Sequence, residues 1–214
     1  MESIKVLFER INGLEINYIV LRNYEDLMTD SFLGQHPDID FLCDNRKVLV
    51  DAIDAKTKID YDDGIHYLVE IGGIEVPVDI REVGDGYYDK KWEQDMLQSR
   101  VLFKELCYIP NKENYYYSLL YHALIQKDKV SEDYIKIFRN IERELKIQDT
   151  FNHLDRLEAY MEMKNYQYVY PDDICVGFNI EKSKKDLIEK NHKKKSERDL
   201  VKVKQMIKRL LRMH

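Results

Sequence analysis

Three aspartates interrupt two apolar segments of the chain and thereby limit how those segments can be arranged. Asp38 and Asp40 stand one residue apart beside Phe41 and Leu42, and Asp79 lies inside a second apolar run about forty residues later. A carboxylate among apolar residues is costly unless a cation or hydrogen bonds compensate it. The two segments are therefore expected to lie side by side, with their carboxylates together.

The spacing of the aspartates predicts a metal site. Side chains two residues apart on a strand point to the same face, so Asp38 and Asp40 can reach one ion together. A neighbouring strand that carries Asp79 completes a triad, and oxygen ligands of this kind favour Mg²⁺ or Mn²⁺. The alternative interpretation is a polar strand edge with solvated acids, because Pro37 favours a turn nearby.

The first half of the chain reads as a mixture of strands and short helices. The segments 65–71 and 74–80 alternate around Gly72-Gly73, which predicts a hairpin with Asp79 on the return strand. Apolar spacing and turn residues predict further helical segments over 4–11, 24–28 and 46–55 and a strand over 16–21.

The second half reads mainly as helices, and we place the boundary near Pro110. A helix is expected over 89–100 and a short strand or link over 101–109, followed by helices over 114–127, 131–146 and 151–164 and a basic amphipathic helix over 196–213. The predicted fold is α+β. A mixed β-sheet with flanking helices occupies residues 1–110, and a helical domain occupies residues 111–214.

Charge is distributed unevenly along the chain. Residues 181–214 hold 13 Lys/Arg against 5 Asp/Glu, a net charge of +8. Because the net charge of the whole chain is −6, the first 180 residues have a net charge of −14. An acidic body argues against nucleic acid as a partner except through the tail. The final helix has the pattern of a membrane-surface helix, and packing on the acidic body is an equally simple reading.

Cellular context is suggested by the ends of the chain and by its cysteines. The N-terminus lacks a signal peptide and no apolar run approaches the roughly 18 residues that span a bilayer, so a cytoplasmic location is expected. Three widely spaced cysteines argue against a disulfide framework and against a zinc site.

This order of elements resembles the minimal nucleotidyltransferases of the DNA polymerase β superfamily, and small antibiotic nucleotidyltransferases most closely. The resemblance covers about residues 15–82, with Asp38, Asp40 and Asp79 at the three carboxylate positions. It implies a nucleotidyltransferase-like sheet and transfer of a nucleoside monophosphate from a nucleoside triphosphate such as ATP, with pyrophosphate leaving. It also implies that Asp79 takes the proton from the acceptor or holds a second metal ion.

One segment departs from the family pattern. Where the family has a Gly-Gly or Gly-Ser pair, this chain has Arg22-Asn23. Both side chains can donate hydrogen bonds to phosphate, and arginine can donate two in parallel. Arg22 and Asn23 are therefore candidates for nucleotide binding, together with Lys127 from the helical region. His36, just before the acidic pair, reads as a solvated loop residue.

Three functions remain open from the sequence. The first is an enzyme that modifies a hydroxyl or phosphate of a small molecule, such as a sugar, a polyol or an aminoglycoside-like acceptor. The second is a toxin-like enzyme that modifies transfer RNA or protein, and the third is an inactive nucleotide-binding module. Small members of the family often pair to complete a site, so a homodimer is compatible with any of the three.

Overall fold

The computed structural model describes residues 1–29, 32–34, 37–58, 64–127, 129–147, 151–171, 173, 175–188, 203 and 207. The fold in this part of the chain is α+β, with a five-stranded mixed sheet and flanking helices followed by a region of packed helices. The described residues form two compact units. The first comprises those within 1–83, 97–110 and 193–214, and the second those within 84–96 and 111–192.

The first unit is built on the five-stranded sheet. Its strands are β1 (Tyr18–Val20), β2 (Ile39–Cys43), β3 (Lys56–Thr57), β4 (His66–Ile71) and β5 (Ile74–Glu82), in the order β1-β2-β5-β4-β3. Strands β2 and β5 run parallel, and the other neighbours run antiparallel. All five residues of β2 are buried, as in a strand that is covered on both faces. Asp40 is therefore an acidic residue within an otherwise apolar buried strand.

Local sequence signals account for most elements of this unit. Helix α1 (Ile4–Asn12) begins where Ser3 Oγ accepts a hydrogen bond from the Val6 N–H, and it buries the apolar face that its spacing predicted. The hairpin of β4 and β5 turns at Gly72-Gly73, where both residues have positive φ. Helix α2 (Arg46–Ala52) and 3₁₀ turns at Tyr24–Met28 and Phe32–Gly34 complete this part of the unit.

The segment expected as one strand or link over 101–109 is instead a hairpin. Strands β6 (Val101–Phe103) and β7 (Cys107–Ile109) pair with each other across a short turn. Lys104 and Glu105 both have positive φ in that turn. Because left-handed backbone is usually signalled by Gly, Asn or Asp, the sequence gives no warning of this turn.

The second unit is helical and has an aromatic core. Apolar spacing predicted three helices here, and the structure has α4 (Lys112–Ile125), α5 (Glu132–Leu145) and α6 (His153–Lys164), with α4 packed against the other two. Trp92, on α3 (Lys90–Gln98), is fully buried and stacks on Tyr166 with the rings 5.2 Å apart. Ser131 caps α5 by accepting a hydrogen bond from the Tyr134 N–H, which confirms the expected start of that helix.

The predicted basic amphipathic helix over 196–213 lies outside the described residues except at two positions. Val203 and Ile207 are helical and their side chains are exposed. Membrane contact through this segment stays a prediction. None of the helices in the described ranges is both long enough and apolar enough to cross a bilayer.

A buried carboxyl group lies in the second unit beside the loop at Gly84–Tyr88. Glu93 is fully buried, and its two oxygens accept hydrogen bonds from the N–H groups of Gly84 at 2.7 Å and Tyr88 at 3.0 Å. Burial raises the pKa of Glu93 to about 8, and the nearby charges of Asp85 and Asp89 act in the same direction. The loop is thus held by a carboxyl group that is neutral in the folded protein below about pH 8.

We expect Glu93→Gln to remove a pH dependence of stability. The folded-state pKa exceeds the ordinary value of 4.5, so wild type loses stability as pH rises from about 4.5 to about 8. The steepest loss is about 1.4 kcal/mol per pH unit. Urea unfolding between pH 5 and 8, followed by the fluorescence of Trp92, measures this slope.

Glu132→Gln is the matched control for this prediction, because Glu132 is exposed in the same unit. It should keep the wild-type slope. The substitution of Glu93 also changes its hydrogen bonds and therefore the absolute stability. The decisive quantity is the slope of the unfolding free energy against pH. Equal slopes for wild type and Glu93→Gln would contradict the assignment.

Candidate functional site

Two of the three predicted carboxylates are brought together by the sheet. Asp40 on β2 and Asp79 on β5 are register partners in the parallel pair. Directly paired residues present their side chains to the same face of a sheet, so these two carboxylates are neighbours. Asp40 is 6% exposed, whereas the Asp79 side chain is 33% exposed. The expectation that the two apolar segments lie side by side is confirmed.

The third carboxylate stands at the end of the same strand. Asp38 is exposed and lies one residue before β2 begins, two positions from Asp40. Among the described residues, the carboxylate oxygens of Asp38, Asp40 and Asp79 do not all lie within 4.8 Å of one another. The backbone thus fixes two members of the triad and leaves Asp38 at the solvent-facing edge.

Arg22 lies against the acidic pair. Its Nε is 2.8 Å from Oδ2 of Asp40, and the two side chains are 14% and 8% exposed. The chain is fixed there because the Leu21 N–H donates a hydrogen bond to the Asp40 carbonyl at 2.8 Å. A guanidinium group therefore supplies positive charge directly beside Asp40.

Asn23 has a backbone conformation that few residues adopt. Its φ is +58°, and it precedes the 3₁₀ turn at Tyr24–Met28 without a side-chain capping hydrogen bond. Glycine adopts this left-handed conformation most easily, and asparagine is among the other residues that tolerate it. The replacement of a small residue pair by Arg22-Asn23 is therefore compatible with a left-handed turn at this point.

Sequence reasoning missed two residues on the same face of the sheet. His66 on β4 is the register partner of Asp79, and its Nε2 lies 3.8 Å from Oδ1 of Asp79. Arg81 is two residues beyond Asp79 on β5 and is 4% exposed. Both could have been found from the sequence. A two-residue turn at Gly72-Gly73 makes His66 the cross-strand partner of Asp79, and residues two apart on a strand, such as Asp79 and Arg81, lie on the same face.

The electrostatics of the site raise the pKa of Asp79. Burial is the largest cause and the charge of Asp40 is the second, while His66, Arg81 and Arg22 act in the opposite direction. The two carboxylates are oxygen donors of the kind that Mg²⁺ or Mn²⁺ prefers. A cation between them would offset the part of the shift that the charge of Asp40 causes.

The remaining candidates lie elsewhere or are not described. Lys127 belongs to the second unit, where it is exposed two residues beyond the end of α4. Its contact with phosphate stays a prediction. His36 lies outside the described residues.

No protein family, curated protein or solved structure matches this chain.

Proposed function

We propose that this protein is a metal-dependent nucleotidyltransferase that moves a nucleoside monophosphate from a nucleoside triphosphate to a hydroxyl or phosphate group of a small molecule. The observation that carries the proposal is the parallel register pair Asp40–Asp79, with Asp38 two positions before Asp40. Two carboxylates on adjacent strands and a third one residue before β2 are oxygen donors of the kind that a triphosphate-bound divalent metal requires. The nucleotidyltransferase-like character of the sheet rests on the same pattern.

The site residues have distinct roles in this reaction. Asp38, Asp40 and Asp79 would hold the metal, which when bound neutralises charge on the triphosphate and on the leaving pyrophosphate. The acceptor oxygen forms a bond to the α-phosphorus as the bond from that phosphorus to pyrophosphate breaks. Asp79 accepts the proton from an acceptor hydroxyl, and its raised pKa brings it closer to the working pH of a general base.

Arg22 and Asn23 support nucleotide binding beside these carboxylates. The Arg22 guanidinium is held close to Asp40, and it can donate two parallel hydrogen bonds to a phosphate group. Asn23 supplies the left-handed turn, and its side-chain amide is a further donor. Together they replace, with side chains, the close backbone approach that a glycine pair permits.

An inactive nucleotide-binding module is the second candidate, and the ion pair between Arg22 and Asp40 favours it. A guanidinium 2.8 Å from the carboxylate supplies positive charge where a metal ion would otherwise do so. In this reading Arg22 competes with metal and the protein binds nucleotide without cleaving it. A macromolecular acceptor, as in toxin-like relatives of the superfamily, stays a prediction for the enzyme reading.

Asp38→Asn is expected to lower pyrophosphate release at least about 100-fold without loss of the fold, because Asp38 is an exposed ligand. The assay combines labelled triphosphates, Mg²⁺ and a mixed acceptor extract, and chelation of Mg²⁺ should stop the wild-type reaction. Asp51→Asn is the matched control, since Asp51 is exposed on α2. It should retain the wild-type rate.

Calorimetric titration with the four triphosphates separates the two candidates. Binding together with pyrophosphate release supports the enzyme, whereas binding without release by wild type supports the inactive module. Equal release from wild type and Asp38→Asn would contradict the metal-ligand role of Asp38. Absence of any triphosphate binding would contradict both candidates.

A further inference from the structure

Three cationic side chains lie along one face of α5, and a fourth follows at its C-terminal end. At 3.6 residues per turn, Lys136, Arg139 and Arg143 fall within an arc of about 60° and extend over about 10 Å of the helix. Lys146 is the C-cap residue that follows them, with left-handed backbone. All four residues are exposed. With Asn140, Glu142 and Ile147 they line an open groove of about 630 Å³, in which Glu142 is the single acidic side chain among the described residues. We call these four residues the basic face of α5.

Acidic residues that interleave this face in the sequence are neutralised by other helices. Glu142 accepts hydrogen bonds from Arg156 and from His153 at 3.0 Å, both on α6. Glu144 pairs with Lys112 on α4. Although α5 itself holds four acidic and three basic residues, two of the acidic charges are therefore compensated by cations of α4 and α6.

Positive charge consequently accumulates toward the C-terminal half of the basic face. Lys136 pairs with Asp133 at 3.0 Å near the start of the helix. Arg143 donates to Asn140 and to the Arg139 carbonyl, contacts that orient its guanidinium without neutralising it. Among the described residues, no acidic side chain pairs with Arg139, Arg143 or Lys146.

We propose that the basic face of α5 binds the phosphodiester backbone of a nucleic acid. A row of cations matches repeated phosphates better than a single small anion, and arginine matches phosphate oxygens with paired hydrogen bonds. An anionic membrane is a poorer fit. Phe138 and Ile141 of α5 are buried, and Ile137 is a single exposed apolar side chain, which is too little for the apolar face that membrane insertion requires.

The test measures the fluorescence anisotropy of a fluorescein-labelled single-stranded RNA of about 20 nucleotides, titrated with the full chain at KCl concentrations from about 50 to about 200 mM. The α5 triple variant replaces Arg139, Arg143 and Lys146 by Gln. Three lost phosphate contacts should weaken binding at least about 10-fold at low salt. They should also reduce the slope of log K against log salt by about 2, since each contact to a single strand contributes about 0.7.

A second triple variant controls for overall charge. Lys5, Lys47 and Lys56 are exposed residues of the first unit, and their replacement by Gln removes the same charge. It should leave affinity within about twofold of wild type. Replacing Lys193–Lys195 by Gln measures how much the basic tail contributes to RNA binding. The losses of binding free energy from this variant and from the α5 triple variant should add when the two are combined.

Other outcomes would overturn the proposal. Equal losses from both triple variants would assign binding to net charge, and an unchanged salt slope in the α5 triple variant would exclude phosphate contacts there. A lower melting temperature of the α5 triple variant with unchanged RNA binding would mean that these cations stabilise the C-terminal end of α5 through the helix dipole and do not bind RNA. Binding to phosphatidylserine vesicles, without binding to RNA and without binding to a DNA duplex of equal length, would identify a membrane surface instead.

Discussion

Asp79→Asn is expected to abolish nucleotidyl transfer and at the same time to stabilise the protein at neutral pH. Loss of a metal ligand that also accepts the acceptor proton should lower the rate of pyrophosphate release by about 10³-fold or more. The gain in stability has a separate cause. Asparagine cannot ionise, so the variant no longer carries a partly desolvated negative charge beside Asp40.

The sign of the stability effect depends on pH. The folded-state pKa of Asp79 is raised above its ordinary value of 3.8, so the wild type is relatively most stable below that value and loses stability as pH rises through the folded-state pKa. Asp79→Asn lacks this loss. Thermal unfolding should give a higher melting temperature for the variant at pH 7 and similar melting temperatures near pH 3.

Asp40→Asn is the informative comparison, because the two substitutions should agree in activity and differ in stability. Asp40 is the partner of Arg22, and its replacement leaves a largely buried guanidinium with a weaker acceptor. We expect a loss of unfolding free energy on the order of 2 kcal/mol. A lower melting temperature for Asp79→Asn at pH 7 would instead mean that His66, Arg81 and Arg22 fully compensate the carboxylate.

The second large effect is expected in the helical unit. Glu142→Ala should lower the free energy of unfolding by about 3 kcal/mol, because it removes the carboxylate that balances the charge of the buried Arg156 guanidinium, which keeps only neutral acceptors such as the Tyr116 hydroxyl. Glu142 on α5 accepts hydrogen bonds from the Tyr116 hydroxyl at 2.6 Å and from Arg156. The Arg156 side chain is 7% exposed, so water cannot replace the lost carboxylate easily.

Glu144→Ala provides the matched control on the same helix. Glu144 pairs with Lys112, but both side chains are more than half exposed, so the expected loss is below about 1 kcal/mol. Trp92 is the only tryptophan of the chain and is buried in the helical unit, so its fluorescence during urea unfolding follows this unit. Equal losses from the two substitutions would show that Glu142 and Arg156 do not form a desolvated pair.

Local sequence signals predicted the elements that depend on one turn or one repeating pattern. Gly72-Gly73 predicted both the hairpin and the strand that carries Asp79, because two consecutive residues with positive φ favour glycine. Apolar spacing predicted α4, α5 and α6, and Ser131 predicted where α5 begins. The turn at Lys104-Glu105 was missed, since its left-handed backbone is held without the residues that usually signal it.

Contacts between segments that are distant in the sequence could not be predicted from these local signals. The sequence predicted that Asp38, Asp40 and Asp79 lie together, but it could not show that Arg22 pairs with Asp40 or that Asp38 lies outside the strand. Both facts depend on how β1 and β2 are aligned, and a shift of one residue would reverse the face on which each side chain lies. Charge on α5 was equally ambiguous, because its neutralisation depends on α4 and α6.

The sequence by itself determined the α+β character of the protein and the adjacency of the strands that carry Asp40 and Asp79, because apolar periodicity and the cost of an isolated buried carboxylate are features of short segments. Tertiary structure alone decided which charges are compensated. It paired Asp40 with Arg22, left Asp79 with a raised pKa, and compensated Glu142 beside the basic face of α5 by pairing it with Arg156. Electrostatic energy depends on distance and solvent exposure in space, which the order of residues does not specify.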